Sequence, residues 1–190
     1  EPYTLRYLKP IVLSGSCELK NIYLREYVNP DVWQAHFAAH DVRLNRLFAA
    51  ARETFRQNAV DIFMDCPSRE RAGWLCDSFW TSRVAFDLSG NTLVEKNFLE
   101  NFLLPRRFEF LPEGMLPMCY PADHNDSVFI PNWALWFVVQ AEEYLARSGD
   151  RDLTDALKPR IMALLTYIRG FLNDDGLLEK LPSWVFVEWS

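Results

Sequence analysis

The stretch DCPSRERAGWLCD, residues 65–77, packs three carboxylates, two arginines, a tryptophan and two cysteines around a proline and a glycine. Were it one regular helix, Glu70 and Asp77, seven positions apart, would share a face. Pro67 and Gly73 argue against a regular helix through the middle. The spacing instead predicts a loop as far as Gly73 and a helix from Trp74 onward. Such a loop turns Asp65 and Glu70 toward one point, and Asp77 joins them from the first helical turn. Crowded carboxylates repel one another, and at least one is pushed to keep its proton at higher pH. A carboxyl in that condition serves as a general acid, while those that stay ionised accept hydrogen bonds from sugar hydroxyls. Arg69 and Arg71 can each hold a carboxylate in a planar fork, and Trp74 supplies a flat apolar wall. For cleaving a glycosidic bond the stretch lacks a second catalytic carboxylate across that bond. A plainer reading also fits: an N-cap region with a charged first turn and surface Arg–Glu pairs of little energetic worth. Residue types alone leave both open.

The elements that must position these groups are mostly helical. Residues 3–28, rich in Tyr, Leu, Ile and Val and punctuated by Pro10 and Gly15, predict two or three strands at the edge of a β layer. Asn29, Pro30 and Asp31 end them. Asp41 is an N-cap for a first helix running to about Asn58, with Leu44, Leu47, Phe48, Ala51 and Phe55 on one face. A second helix is expected over 75–88, ended by Gly90, and a third over 92–104, with Pro105 at its exit. Residues 105–131 hold five of the eleven prolines and form a long loop, a kind that is usually functional inside a compact domain. Pro131 opens a fourth helix whose apolar first half should be buried, and Gly149 closes it. A fifth is expected over 154–172, with Leu157, Ile161, Leu164, Leu165, Ile168 and Leu172 as its stripe and Pro159 early in it. The motif NDDG then makes a turn. Long helices with decorated connections suit an array of α-hairpins better than a four-helix bundle.

Composition narrows the function. The chain has 190 residues, about half of them apolar, enough for one domain with a sizeable core. The net charge of −6 disfavours a nucleic-acid partner, which needs a basic face. The 7 Trp, 7 Tyr and 14 Phe suit core packing and also sugar stacking. No run of eighteen apolar residues marks a membrane span. Cys17, Cys66, Cys76 and Cys119 show no C-x-x-C zinc spacing, so reduced thiols are expected; a Cys66–Cys76 bridge stays open as the alternative. The opening EPYTLRYLKP, with no signal peptide, reads as the interior of a longer protein.

DCPSRERAGW followed by Asp77 closely resembles the signature of the α-L-rhamnosidases of glycoside hydrolase family 78. Their pattern is Asp-Cys-Pro, one or two residues around an Arg, an acidic residue, Arg, a variable residue, Gly-Trp, then Asp three positions on. Cys76 stands where glycine is usual. The resemblance extends from about residue 18 to the end. It implies a mainly α fold, part of an (α/α)6 barrel of six hairpins: residues 1–30 as the β edge of a preceding β-sandwich, residues 31–190 as the first half of the catalytic barrel. Carried over by position, Glu70 is the general acid. Asp65, Arg69 and Asp77 hold the rhamnose hydroxyls, Trp74 lies against the sugar ring, and Trp184 lines the pocket. The implied reaction inverts the anomeric centre, with a general base downstream of this chain; Glu188 is not assigned that role. Trp133 and Trp136 are weaker pocket candidates, at least one of them packing the core. Trp33 and Trp80 are given to the core. His36, His40 and His124 are expected to be structural, and the acidic DHND to be a solvated loop. No metal or cofactor is implied. The implied substrates are terminal α-L-rhamnosyl bonds of plant glycans or glycosides. Further partners are the remainder of the barrel and accessory β domains. The compartment stays open, periplasmic or extracellular being favoured over cytoplasmic. These residues alone are expected to be inactive and poorly folded, since a half ring leaves apolar helix faces uncovered. Two rivals remain: a non-catalytic rhamnose-binding relative, and a six-hairpin glycosidase with another sugar preference.

Overall fold

A computed structural model of the protein describes residues 5–122 and 126–187. Five helices follow in order: α1 (Val42–Asn58), α2 (Leu75–Ser89), α3 (Leu93–Asn101), α4 (Pro131–Ser148) and α5 (Arg151–Arg169). No strand forms among the described residues; three isolated bridges, Ala59–Phe63, Trp74–Cys119 and Leu172–Leu178, tie loops to one another. The strands expected over 3–28 are therefore not found in residues 5–28, which run irregular and mostly exposed. The reason is physical: a strand exists through its ladder partner, and no other segment described here offers one. His124 and Glu188 lie outside the described residues.

Local chemistry sets the helix ends. The Asp41 carboxylate accepts from the Arg43 amide at 2.9 Å, capping α1. Gly90 and Gly149, both left-handed at φ near 70°, close α2 and α4. α5 begins three residues before its expected start, because Asp150 accepts from the Leu153 amide at 3.1 Å and caps it. Pro159 stays inside α5.

The core lies where α2 packs on α4 and α4 on α5. Phe63, Leu75, Phe98, Phe102, Phe137, Tyr144 and Leu157 are fully enclosed there, each such side chain worth about 1.5–3 kcal/mol of burial. Phe102 touches the rings of Phe98, Phe108, Tyr120 and Phe137 at centroid distances of 4.8–6.2 Å. One charge pair crosses this interior. Glu95 on α3, 1 % exposed, receives Arg147 Nη2 of α4 at 2.5 Å. Arg147 also reaches Glu143 at 3.1 Å and the Ser82 hydroxyl at 3.3 Å. Burial pushes the Glu95 carboxyl up, and the Arg147 guanidinium pulls it only part of the way back.

Two assignments to the core are corrected. Trp33 is 56 % exposed and Trp80 is 52 % exposed. Each is roofed by an arginine instead of being enclosed: Arg52 sits 4.3 Å from the Trp33 ring and Arg83 sits 5.1 Å from that of Trp80. The exposed side of α1 carries Leu44 and Leu47, and of its expected stripe Phe55 alone is fully buried.

Candidate active site

Residues 65–74 form a closed loop, and α2 begins at Leu75. The Asp65 amide donates to the Ala72 carbonyl at 3.1 Å, and the Ala72 amide donates back to Asp65 Oδ1 at 3.0 Å. Inside this clasp the Glu70 amide donates to Cys66 Sγ at 3.4 Å, and Arg71 takes the left-handed conformation at φ 52°.

The loop's exit is braced by the long α3–α4 connection. The Tyr120 amide donates to the Gly73 carbonyl at 3.1 Å, and the Leu75 amide donates to the Met118 carbonyl at 3.0 Å. The second bond satisfies one of the amides that a helix start leaves open, where Trp74 supplies no side-chain cap. Gly73 is required by space: a Cβ there would lie 2.7 Å from the Tyr120 carbonyl oxygen and 2.9 Å from the Phe98 ring. Composition marked the proline-rich loop but not which part of it meets residues 65–77; the contact is made by Met118–Tyr120.

A small aromatic cluster stands on this brace. Ala72, Trp74, Met118, Cys119 and Ile130 are buried together, with Trp133, Trp184 and Phe186 against them. Trp74 meets Trp133 edge-on at 5.7 Å, Trp133 meets Phe186 at 5.3 Å, and Phe186 meets Trp184 at 4.9 Å. The tail carrying Trp184 and Phe186 is tied back by hydrogen bonds, among them one from the Phe129 amide to the Ser183 hydroxyl at 3.1 Å. The Trp184 amide donates to the Phe129 carbonyl at 3.1 Å, and Asn132 Nδ2 to the Phe186 carbonyl at 2.7 Å.

Beside this cluster lies a cleft of about 680 Å³ whose walls include Asp65, Cys76, Asp77, Trp80, Trp133 and Phe186. Of the residues singled out from sequence, Asp65, Asp77 and the weaker candidate Trp133 line it directly. Trp74 and Trp184 stand one row behind, supporting the Trp133–Phe186 wall. Trp136 instead stacks on Phe79 at 4.5 Å, in the core role expected of one of that pair. Glu70, 26 % exposed at its side chain, is outside the lining and is ion-paired with Arg69, whose side chain is 80 % exposed. Burial pushes the Cys119 thiol up to about 12, and the negative charges of Asp65, Glu70, Asp126 and Asp77 add to that push. Cys119 and Phe186 were not picked out from sequence; a lone cysteine and a phenylalanine in an aromatic-rich tail carry no motif.

Chemically, the cleft offers two carboxylates that accept hydrogen bonds, a rigid aromatic wall, and a third carboxyl on an adjoining loop. Among the described residues no group of three or more His, Cys, Asp and Glu side chains is arranged to hold a metal ion. No described helix is long and apolar enough to cross a membrane. A second cleft of about 530 Å³, between residues 103–115 and α5, contains none of the 65–77 groups. Chemistry, not volume, selects the first.

Comparison with known proteins agrees with this architecture. The rhamnosidase of Bacillus sp. GL1, a member of family GH78, superposes with a TM-score of 0.71 at 26 % identity, over 84 % of this chain and 16 % of its own. A rhamnosidase from Klebsiella oxytoca, solved with rhamnose bound, superposes with a TM-score of 0.66 at 22 % identity, over 84 % of this chain and 30 % of its own. The chain thus spans less than a third of either relative. No protein with a curated description matches. The family model described as the bacterial alpha-L-rhamnosidase six-hairpin glycosidase domain matches residues 34–190. With that match over most of its length, and a mainly helical fold shared with GH78 enzymes, the chain belongs to the six-hairpin glycosidase domain family of bacterial α-L-rhamnosidases.

Proposed function

We propose that this chain carries the acid half of a site that hydrolyses terminal α-L-rhamnosyl bonds of plant glycans or glycosides with inversion. Glu70 protonates the departing glycosidic oxygen. Asp65 and Asp77 accept hydrogen bonds from the sugar hydroxyls, and Arg69, once released from Glu70, donates to them. The Trp133–Phe186 wall, backed by Trp74 and Trp184, meets the apolar face of the ring. Inversion requires a second carboxylate, set back by the width of a water molecule, on the opposite face of the sugar. That base is assigned to the remainder of the barrel. The observation carrying this reading is that Asp65 and Asp77 line one cleft walled by aromatic rings, with Glu70 on the same 65–74 loop. The rhamnose bound to the Klebsiella relative supports the choice of sugar.

The test is Glu70→Gln in the complete protein, assayed on two aryl α-L-rhamnosides. A phenyl leaving group needs a proton; a dinitrophenyl group leaves largely without one. Loss of a general acid costs about 10²–10⁴-fold, so hydrolysis of the phenyl rhamnoside should fall by that order while the dinitrophenyl rhamnoside is far less affected. Equal loss on both, or wild-type activity on both, removes Glu70 from the acid role. A panel of other aryl glycosides separates this reading from a six-hairpin glycosidase of different preference. Rhamnose binding without turnover in the complete wild-type protein would mark a non-catalytic relative.

A further inference from the structure

Inside the Asp65–Ala72 clasp, Ser68 and Arg69 are exposed while Cys66 and Glu70 are half-buried. Among the described residues, one hydrogen bond reaches the main chain of Glu70: its amide donates to Cys66 Sγ at 3.4 Å. Sulfur is a weak acceptor, but its long bonds let it reach an amide that an oxygen on the same Cβ would not. An N–H···O bond closes at about 2.9 Å, so a serine hydroxyl here would have to draw the loop inward to make the same contact. Cys66 is half-buried and its thiol is not bridged.

We infer that Cys66 is a positioning residue for the acid: its sulfur, by accepting the Glu70 amide, fixes the main chain from which the carboxyl, once parted from Arg69, reaches the leaving oxygen. This inference rests on the acid role proposed for Glu70. It concerns alignment, not binding, so its signature is confined to substrates that need a proton.

The experiment uses the complete protein with Cys66→Ala and Cys66→Ser on the same two aryl rhamnosides. The quantity read is the ratio of kcat/KM for phenyl to that for dinitrophenyl, which does not depend on how much of a variant is folded. One lost hydrogen bond corresponds to about 2- to 12-fold, so Cys66→Ala should lower the ratio by that factor through kcat, with KM unchanged. Cys66→Ser, which keeps a polar acceptor slightly out of reach, should fall between it and wild type. A ratio unchanged in both variants overturns the inference, as does an equal fall on both substrates. If Glu70→Gln shows the leaving-group dependence and Cys66→Ala does not, the positioning role fails alone. If Glu70→Gln shows none, the acid assignment beneath it fails.

Discussion

Gly73→Ala isolates the brace from everything else in the site. Gly73 does not need left-handed freedom, because it is not among the glycines with positive φ. It needs room. The added methyl would sit 2.7 Å from the Tyr120 carbonyl oxygen and 2.9 Å from Phe98 Cε2, where ordinary contact begins near 3.4 Å. The oxygen would have to retreat by about 0.7 Å and the ring edge by about 0.5 Å. Neither is free to move. Phe98 is fully buried between Phe63 and Phe102, and Tyr120 is held by its own bond to Gly73. Overpacking of this kind costs about 1–3 kcal/mol, and weakening the Tyr120–Gly73 and Leu75–Met118 bonds adds about 0.5–1.5 kcal/mol each. Lower chain entropy in the unfolded state returns up to about 1 kcal/mol. The expected net loss is about 1–6 kcal/mol, read as a lower urea midpoint at unchanged slope. Gly149→Ala is the control, for it meets no atom within 4 Å and carries only the strain of φ 70°, about 1–2 kcal/mol. A Gly73→Ala loss below about 0.5 kcal/mol, or one no larger than the control's, would refute the claim that crowding dictates this glycine.

Four further outcomes are expected. Arg147→Met leaves the enclosed Glu95 carboxylate without its main counter-charge and should cost about 3–5 kcal/mol in urea unfolding. Glu95 titrates higher in the folded state than unfolded, so its protonated form favours folding. That contribution is whole below the ordinary glutamate range and fades as pH rises through the elevated folded value; Glu95→Gln should flatten the stability–pH curve there. Lys96, the Leu153 amide and the Tyr144 hydroxyl hold Asp150 down at about 2, so its contribution is present above the usual aspartate value and is lost as pH falls toward 2. Asp150→Asn, which keeps the cap, should make acid unfolding shallower. Asp77→Asn in the complete protein should lower kcat/KM on aryl rhamnosides by about 10- to 100-fold, the worth of one hydrogen bond to a charged acceptor.

What could be read from the chain beforehand was whatever is decided locally. Asp41, Gly90, Gly149 and Pro131 announce helix ends because caps depend on one residue's own side chain or φ. The break at Gly73 was legible from glycine's low helix propensity, although what requires glycine there is room beside Tyr120 and Phe98. The start of α5 was misplaced because Asp150 competes with Thr154 as a cap, and its advantage comes from Lys96 and Tyr144, distant in sequence. Strand-like composition over residues 5–28 yields no strand among the described residues because pairing, not composition, makes a strand. Trp33 and Trp80 were misassigned because hydrophobicity does not reveal that an arginine covers one face. In the site, residues 65–77 identified the charged groups. Which tryptophan lines the cleft and which stands behind it follows from Met118–Tyr120 and from the 184–186 tail, both far along the chain.

Asp65 does two jobs with one carboxylate. Its Oδ1 is committed to the Ala72 amide that closes the loop, while the residue also lines the cleft. Any substitution that retunes the cleft at this position therefore also unfastens the 65–74 loop, so a change of ligand meets a loss of architecture at the same codon. Change in what the cleft accepts is steered toward wall positions without that double duty, such as Thr81 on α2 and Val187 in the tail.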